Sequence, residues 1–214
     1  SGKILKKITL YSIPSILQQS FISVGNIFVQ YLVNSFGSSC IAGYSSAIKL
    51  NTFAITSFTT LSNGLSSFVA QNYGAGLIQR MNKCLLSGIG FALIFGLSVC
   101  LYSQFLPETL TAFFTKDPAV VTMAAEYLRG YSIDCVVVSF VFCINSYFSG
   151  QGNSLFPMIH SLIATLLFRI PLSHWFSQID SSSLFIMGFA PPISTVVSLF
   201  ICIWYLRYTR KRNY

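Results

Sequence analysis

Acidic residues are scarce in this sequence. Of its 214 residues only 5 are Asp or Glu, and charged residues of both signs make up 8% of the chain. Soluble domains carry about 25% charged residues, so this composition cannot cover a water-exposed surface. Catalysis that depends on a dense set of acids and bases is disfavoured for the same reason.

Short catalytic and metal-binding motifs are missing as well. The sequence contains no GxSxG, HExxH, GxxxxGK[ST] or GxGxxG. Its 6 cysteines form no CxxC pair and lie in apolar stretches, which favours small buried side chains. His160 and His174 have no histidine partner at metal-ligand spacing, so we interpret both as structural. We therefore expect no enzymatic activity, no metal and no cofactor.

Long apolar runs make up most of what remains. Hydrophobic residues account for 53% of the chain. A tilted membrane-crossing helix needs about 20 to 25 residues, so the length allows six spans with short loops. Spans must be helical because lipid offers the backbone no hydrogen bonds. The sequence predicts an all-α polytopic membrane protein, with residues 1–214 forming one six-helix lobe. The predicted helices are 10–34, 43–72, 84–106, 120–148, 156–178 and 184–206.

The basic residues indicate a topology. A net charge of +8 would suggest nucleic acid in a soluble protein, but here the basic residues flank apolar runs, as at a membrane surface. Six crossings place both termini on one side, which the positive-inside rule makes cytoplasmic in a plasma-membrane protein. That side holds Lys3, Lys6, Lys7, Arg80, Lys83, Arg207, Arg210, Lys211 and Arg212. The opposite loops hold Lys116, Glu108, Asp117 and Asp180.

Two predicted helices carry polar stripes. In the first, the spacings of four, three, four and four place Gln19, Ser23, Asn26, Gln30 and Asn34 on one face. Such a stripe either supplies hydrogen bonds between helices, worth about 0.6 to 2 kcal/mol each, or lines a cavity open to water. Both interpretations remain open. The second predicted helix has a similar stripe of Ser45, Lys49, Thr52, Thr56, Thr59, Asn63 and Ser66.

Three ionisable residues lie well inside apolar segments: Lys49, Asp134 and Arg169. Charges in the membrane face the protein interior or water, where they mark a transport pathway or a fixed ion pair. Asp134 is the only carboxylate deep in an apolar segment. It is a candidate proton carrier, and Lys49 and Arg169 are at depths that permit pairing with it. With Gln19, Asn26, Gln30, Asn34 and Asn63, these residues form the predicted substrate and ion pathway.

Three stretches resemble the multidrug and toxic compound extrusion (MATE) family, in particular the carboxy-terminal lobe of its DinF-like branch. They are Phe68-Val-Ala-Gln-Asn-Tyr-Gly-Ala-Gly76 followed by Arg80, Phe148-Ser-Gly-Gln-Gly-Asn-Ser-Leu-Phe-Pro157, and Phe168-Arg-Ile-Pro-Leu172. Their order and spacing match that lobe over nearly the whole chain. The sodium-coupled branch carries acids in helices seven and ten, whereas the first helix here has none. Val138 stands at the helix-ten position, one turn after Asp134.

The resemblance implies one half of a twelve-helix secondary active antiporter, comprising helices seven to twelve. Such a transporter exports organic cations or xenobiotics in exchange for H⁺ or Na⁺ by alternating access. The absent amino-terminal lobe, which often carries the proton-coupling aspartate, or a second half would be a partner. The first residue is Ser1 rather than methionine, so we expect a partial sequence. Two alternatives are a lipid-precursor flippase of the same superfamily and a non-transporting scaffold or inactive remnant.

Overall fold

A computed structural model describes residues 2–179 and 183–212. Within these ranges the chain folds into helices and connecting turns, with no β-strand. The prediction of an all-α membrane bundle is therefore confirmed. Asp180, which the sequence assigns to an outer loop, lies outside the described residues. The α-helices are α1 (Gly2–Val33), α2 (Ser38–Gly74), α3 (Ile78–Phe105), α4 (Pro107–Ala112), α5 (Pro118–Gly150), α6 (Leu155–Ile163), α7 (Ile170–Ile179) and α8 (Ala190–Arg212).

Two irregular stretches complete the backbone. A π-helical stretch, Ala164–Arg169, joins α6 to α7, and we call the continuous helix the α6–α7 rod. A 3₁₀ turn, Met187–Phe189, leads into α8. The short helix α4, absent from the sequence prediction, begins at Pro107, whose fixed φ suits the first turn of a helix. α1 starts at Gly2 rather than at residue 10, so the lysine-rich segment before the apolar run is helical as well.

Among the residues that the structure describes, five helical stretches are long and apolar enough to cross a membrane, judged by length and composition. They are Ile4–Val33, Ile78–Phe105, Pro118–Gly150, Leu155–Ile179 and Met187–Lys211. α2 has 37 residues but does not meet the apolar criterion. Its Ser, Thr, Asn and Lys residues are the physical reason, since they interrupt the apolar runs. The prediction of six spans therefore stays a prediction for α2, which is more polar than the other five stretches.

α5 is the centre of the bundle and packs against α2, α3 and α8. Small residues let its neighbours approach closely, as in other membrane bundles. A Cβ on Gly96 of α3 would lie 2.4 Å from the carbonyl oxygen of Cys135. α1 instead packs along the α6–α7 rod, and the rod in turn contacts α8. α1 and the rod thus form a pair beside the four-helix group of α2, α3, α5 and α8.

Candidate functional site

α2 buries one face and exposes the opposite one. Ala47, Phe58 and Leu65 are buried in the core of the bundle. At 100° per residue the polar stripe lies roughly half a turn away from them. Its exposed members are Lys49, Thr52, Thr56, Thr59 and Asn63. We call these five residues the α2 polar face.

The hydroxyl groups of the α2 polar face are satisfied within their own helix. Thr52, Thr56 and Thr59 each donate to the carbonyl oxygen four residues earlier, at 2.8, 2.7 and 2.5 Å. Bonds of this kind leave the donors unavailable to a neighbouring helix. These threonines therefore donate no hydrogen bond to a neighbouring helix.

The polar stripe of α1 lies beside the surface that packs against the α6–α7 rod. It does not lie on the opposite side of the helix. Gln18, one residue before the stripe, points into the contact and donates to Ser161 Oγ at 3.0 Å. Gln19, Asn26 and Asn34 are exposed, and Gln30 is half-buried. Each lies about 100° round the helix from a packing position. The stripe therefore follows the edge of the groove between α1 and the α6–α7 rod.

Within that stripe one pair of amides is linked directly. The Nε2 group of Gln30 donates to Asn34 Oδ1 at 2.9 Å, one helical turn away. The pair lies near the end of α1, next to the turn that leads into α2. It leaves the carbonyl of Gln30 and the amide nitrogen of Asn34 available to water or a ligand.

Arg169 terminates the π-helical stretch and reaches across to α1. Its Nη2 donates to Asn26 Oδ1 at 2.8 Å, whereas its buried Nε has no hydrogen-bond partner among the described residues. The approach depends on Gly25, because a Cβ there would lie 2.7 Å from Thr165 Cγ2. Two residues predicted from separate patterns, Asn26 and Arg169, are thus brought together by the packing of α1 on the rod.

Asp134 is the most buried charged side chain among the described residues, with 5% of its surface exposed. It interacts electrostatically with Arg169, and Tyr131 and Thr195 flank its carboxyl group. Its Oδ1 accepts no hydrogen bond from the described residues. Lys49, by contrast, lies exposed on the α2 polar face. Of the two basic residues that the sequence offered as counter-charges, Arg169 acts electrostatically on Asp134, although its hydrogen bond goes to Asn26.

A row of buried tyrosines connects α2 with Asp134. Tyr44 meets Tyr127 edge to face at a centroid distance of 5.0 Å, and Tyr127 stacks on Tyr131 at 5.8 Å. The charge of Arg169 also acts on all three. Sequence reasoning missed this row. The signal was the spacing of Tyr127, Tyr131 and Asp134 by four and three residues along α5, which places them on one face.

His160 is a buried connector between three helices. Its Nδ1 lies 2.6 Å from Ser198 Oγ on α8, and its Nε2 lies 2.7 Å from Asn145 Oδ1 on α5. Both ring nitrogens are therefore engaged. This geometry supports the structural interpretation of His160, although neither partner was predicted. His174 is exposed. Val138 is buried in the apolar core one turn beyond Asp134, so that position offers no polar group.

Two of the three motif stretches form the same kind of helix end. At the end of α2 the Leu77 amide donates to the carbonyl of Asn72, and Gly76 has a φ of 71°. At the end of α5 the Asn153 amide donates to the carbonyl of Phe148, and Gly152 has a φ of 82°. This is the Schellman arrangement, which needs a left-handed residue that glycine provides most easily. Both stretches lie at the predicted cytoplasmic end.

The third motif stretch, Phe168 to Leu172, contains Arg169 and the junction between the π-helical stretch and α7. Together with the apolar spans, these features define the class as an α-helical polytopic membrane protein with charges held inside its bundle. A family model described as MatE matches residues 14–175. The chain belongs to the MATE family, which is a family of membrane transporters, so the resemblance seen in the sequence is confirmed.

Curated relatives support the family assignment. A protein named FAD transporter from Shewanella oneidensis is 25% identical over 171 residues, covering 78% of this chain and 37% of its own length. The probable multidrug resistance protein NorM of Thermotoga maritima is 21% identical over 168 residues, covering 78% and 36%. The probable multidrug resistance protein YoeA of Bacillus subtilis is 22% identical over 210 residues, covering 94% and 43%.

Solved structures show the same fold. A crystal structure of a MATE protein in complex with MaL6 superposes with a TM-score of 0.89 at 19% identity, covering 100% of this chain and 49% of that one. A transporter of the MOP superfamily from Pyrococcus furiosus gives 0.84 at 21% identity, covering 94% and 44%. The chain thus spans less than half the length of the relatives and structures that it matches.

Proposed function

We propose that this chain is one lobe of a secondary active exporter that moves small organic molecules out of the cell by alternating access, in exchange for H⁺ or Na⁺. The observation that carries the proposal is the α2 polar face. Lysine, threonine and asparagine side chains at membrane depth face water or protein rather than lipid. The α2 polar face, with the α1 stripe, would then form one wall of a hydrated pathway.

The opposite wall belongs to a partner in this proposal. A second six-helix unit, whether a preceding lobe or another chain, would face α2 and α1 and close the pathway. The matched relatives, which are more than twice as long as the aligned region, support this arrangement. Rocking of one lobe against the other would then expose the pathway to each side of the membrane in turn.

Orientation follows from charge. Arg80, Lys83, Arg207 and Arg210 are all exposed and lie at one end of the bundle, beside the two Schellman turns. The positive-inside rule places that end in the cytoplasm of a plasma-membrane protein, with both termini on the same side. The test introduces a cysteine at residue 80 or at residue 116. It then measures how far each cysteine reacts with a membrane-impermeant maleimide. Labelling at position 80 in intact cells would contradict the proposed orientation.

Asp134 would not act alone as a coupling site. Its carboxyl group shares the interior with Arg169, a permanent cation that already offsets its charge. Binding of H⁺ or Na⁺ at Asp134 would therefore require a greater distance between Arg169 and Asp134. Arg169 would either leave Asn26 or keep its bond to Asn26 while it moves away from Asp134. We place the main coupling site in the partner lobe, as the family resemblance implies.

Two substrate classes have separate support. The multidrug relatives favour an organic cation or other xenobiotic. The charges favour an organic anion, because Lys49 is exposed, Arg169 is partly exposed and Asp134 is buried. A flavin nucleotide is one such anion, and the Shewanella relative is named for FAD.

The test uses the chain together with its partner lobe in liposomes under an imposed pH or Na⁺ gradient. Ethidium is the cationic probe, flavin mononucleotide the anionic one and riboflavin the neutral flavin. Gradient-driven flux of any probe supports the exporter, and its absence for all three contradicts it. Lys49→Gln is expected to reduce flux of flavin mononucleotide but not of riboflavin if anions are carried. Lys83→Gln, outside the pathway, is the matched control. A lipid-flip assay on the same liposomes tests the flippase alternative.

A further inference from the structure

A cavity of about 250 Å³ lies between α2, α3, α4 and α5, separate from the α2 polar face. Its walls are mostly apolar and include Leu50, Ala54, Val99 and Leu128, with Leu110 contributed by α4. It occupies the predicted outer half of the bundle. An apolar cavity of about 150 Å³ holds a benzene-sized guest, so this one has room for a bicyclic molecule.

One polar atom in the cavity wall is unsatisfied. Asn51 lines the cavity, and its Oδ1 is buried without a hydrogen-bond partner among the described residues. A buried acceptor left in this state costs about 1 to 3 kcal/mol. A guest that brings one hydroxyl donor would remove that cost. A purely apolar guest would fill the same volume and leave it in place.

The mouth of the cavity opens between α2 and α3. Phe53 and Tyr102 line it and are 73% and 46% exposed, and Ser98 beside them is exposed as well. The adjoining outer face of α3 is apolar, as expected of a surface in contact with lipid. A guest would therefore enter sideways from the bilayer rather than from water.

We propose that this cavity is a binding site for a small lipophilic alcohol or phenol, of about the size of naphthol, whose hydroxyl donates to Asn51 Oδ1. The cavity walls carry no charged side chain among the described residues, so a phospholipid headgroup or an organic ion does not fit. Tyr131 also lines the site, and its ring belongs to the tyrosine row beside Asp134. A bound guest would thus contact a side chain that flanks the interior charge.

The experiment compares two ligands that differ by one hydroxyl group. The chain is placed in lipid nanodiscs, and equilibrium dialysis measures uptake of 2-naphthol and of naphthalene beyond that of empty nanodiscs of the same lipid. We expect saturable binding of one 2-naphthol per chain. Naphthalene should bind about fivefold more weakly, the factor that one hydrogen bond of about 1 kcal/mol provides.

Variants separate the acceptor from the volume. Asn51→Leu keeps the size of the side chain and should abolish the preference for 2-naphthol over naphthalene. Thr60→Leu, a polar-to-leucine change on α2 outside the cavity, should retain the preference. Ala54→Phe fills the cavity and Ser98→Phe blocks its mouth, so at least one folded variant of this pair should lose saturable binding of both ligands.

Three outcomes would overturn the proposal. The first is the absence of saturable uptake by the unmodified chain, as expected if a lipid tail fills the cavity. The second is an unchanged preference in Asn51→Leu, which would place the hydroxyl elsewhere. The third is saturable binding that survives both blocking variants. The result does not depend on transport, because the assay measures occupancy of the single chain.

Discussion

α2 and α3 are neighbouring long helices that each expose one face, yet the two faces have opposite chemistry. The α2 polar face consists of lysine, threonine and asparagine side chains. The exposed face of α3 consists of Leu86, Phe91, Ile94, Leu101 and Phe105. Both helices bury their other face against α5. The difference teaches that α3 is adapted to lipid, whereas α2 is adapted to water or to a polar partner.

The largest expected effect is a difference in stability between two variants. One removes Arg169, the partly buried cation, and the other removes Lys49, the exposed cation of α2. Arg169→Gln should lower the free energy of unfolding by about 3 kcal/mol, because it removes a charge-assisted hydrogen bond to Asn26 and the cation that acts on the buried Asp134. Lys49→Gln should change it by less than about 0.5 kcal/mol, as for an ordinary solvated position. Denaturation in mixed micelles measures both.

A double variant checks the cause of that loss. Adding Asp134→Asn to Arg169→Gln should recover a substantial part of the lost stability, because residues in one charge network are coupled. Additive losses would show that Arg169 acts through its bond to Asn26 alone. A large loss in Lys49→Gln would mean that the α2 polar face is not solvated.

The next effect tests the lipid-facing surface of α3. Ile94→Arg places a charge on that face, which should cost about 2.5 to 3.5 kcal/mol of membrane insertion if it meets the bilayer core. Thr56→Arg places the same side chain on the α2 polar face and should insert normally. The membrane-integrated fraction of each variant, measured after alkaline extraction, gives the comparison. Equal yields would remove the distinction between the two faces.

A smaller effect compares the inner and outer sides of α3 itself. Gly96→Ala introduces a Cβ only 2.4 Å from the Cys135 carbonyl oxygen, and such overpacking costs about 1 to 3 kcal/mol. Gly90 has open space around its Cα, so Gly90→Ala should be neutral or slightly stabilising. Thermal unfolding of the two variants should therefore shift in opposite directions or by clearly unequal amounts.

The smallest effect tests the intrahelical bonds of α2. Thr56→Val removes a hydroxyl that bonds only within its own helix. We expect a change in unfolding free energy of less than about 0.5 kcal/mol. A loss above 1 kcal/mol would indicate that this hydroxyl contacts another helix or a fixed water after all.

Much of the fold could be predicted because the apolar runs determine where helices lie. Glycine-rich breaks such as Tyr73 to Gly76 marked the helix ends, and the structure places Schellman turns there. The short helix α4 was missed because six residues are too few to produce a hydrophobic period. Periodicity also placed the α1 and α2 stripes on single faces, since that depends only on the geometry within one helix.

Contacts between distant residues could not be predicted in the same way. Asp134 is under the charge of Arg169 rather than of Lys49 because of how each helix is rotated in the bundle, which no local pattern reveals. Lys49 belongs to the face that α2 turns away from α5. The unsatisfied Asn51 Oδ1 is likewise a property of packing, because the cavity exists only where four helices meet.

The π-helical stretch has a consequence for how this helix tolerates change. A π turn accommodates an extra residue within an otherwise regular helix. Removal of one residue between Ala164 and Arg169 would restore the ordinary pitch and leave α7 near its present rotation, because the π turn holds about one residue more than an α turn. The same deletion within α6 would rotate everything after it by about 100° and swing the Arg169 guanidinium away from Asn26. A one-residue deletion should therefore be better tolerated in this short window than elsewhere along the same helix.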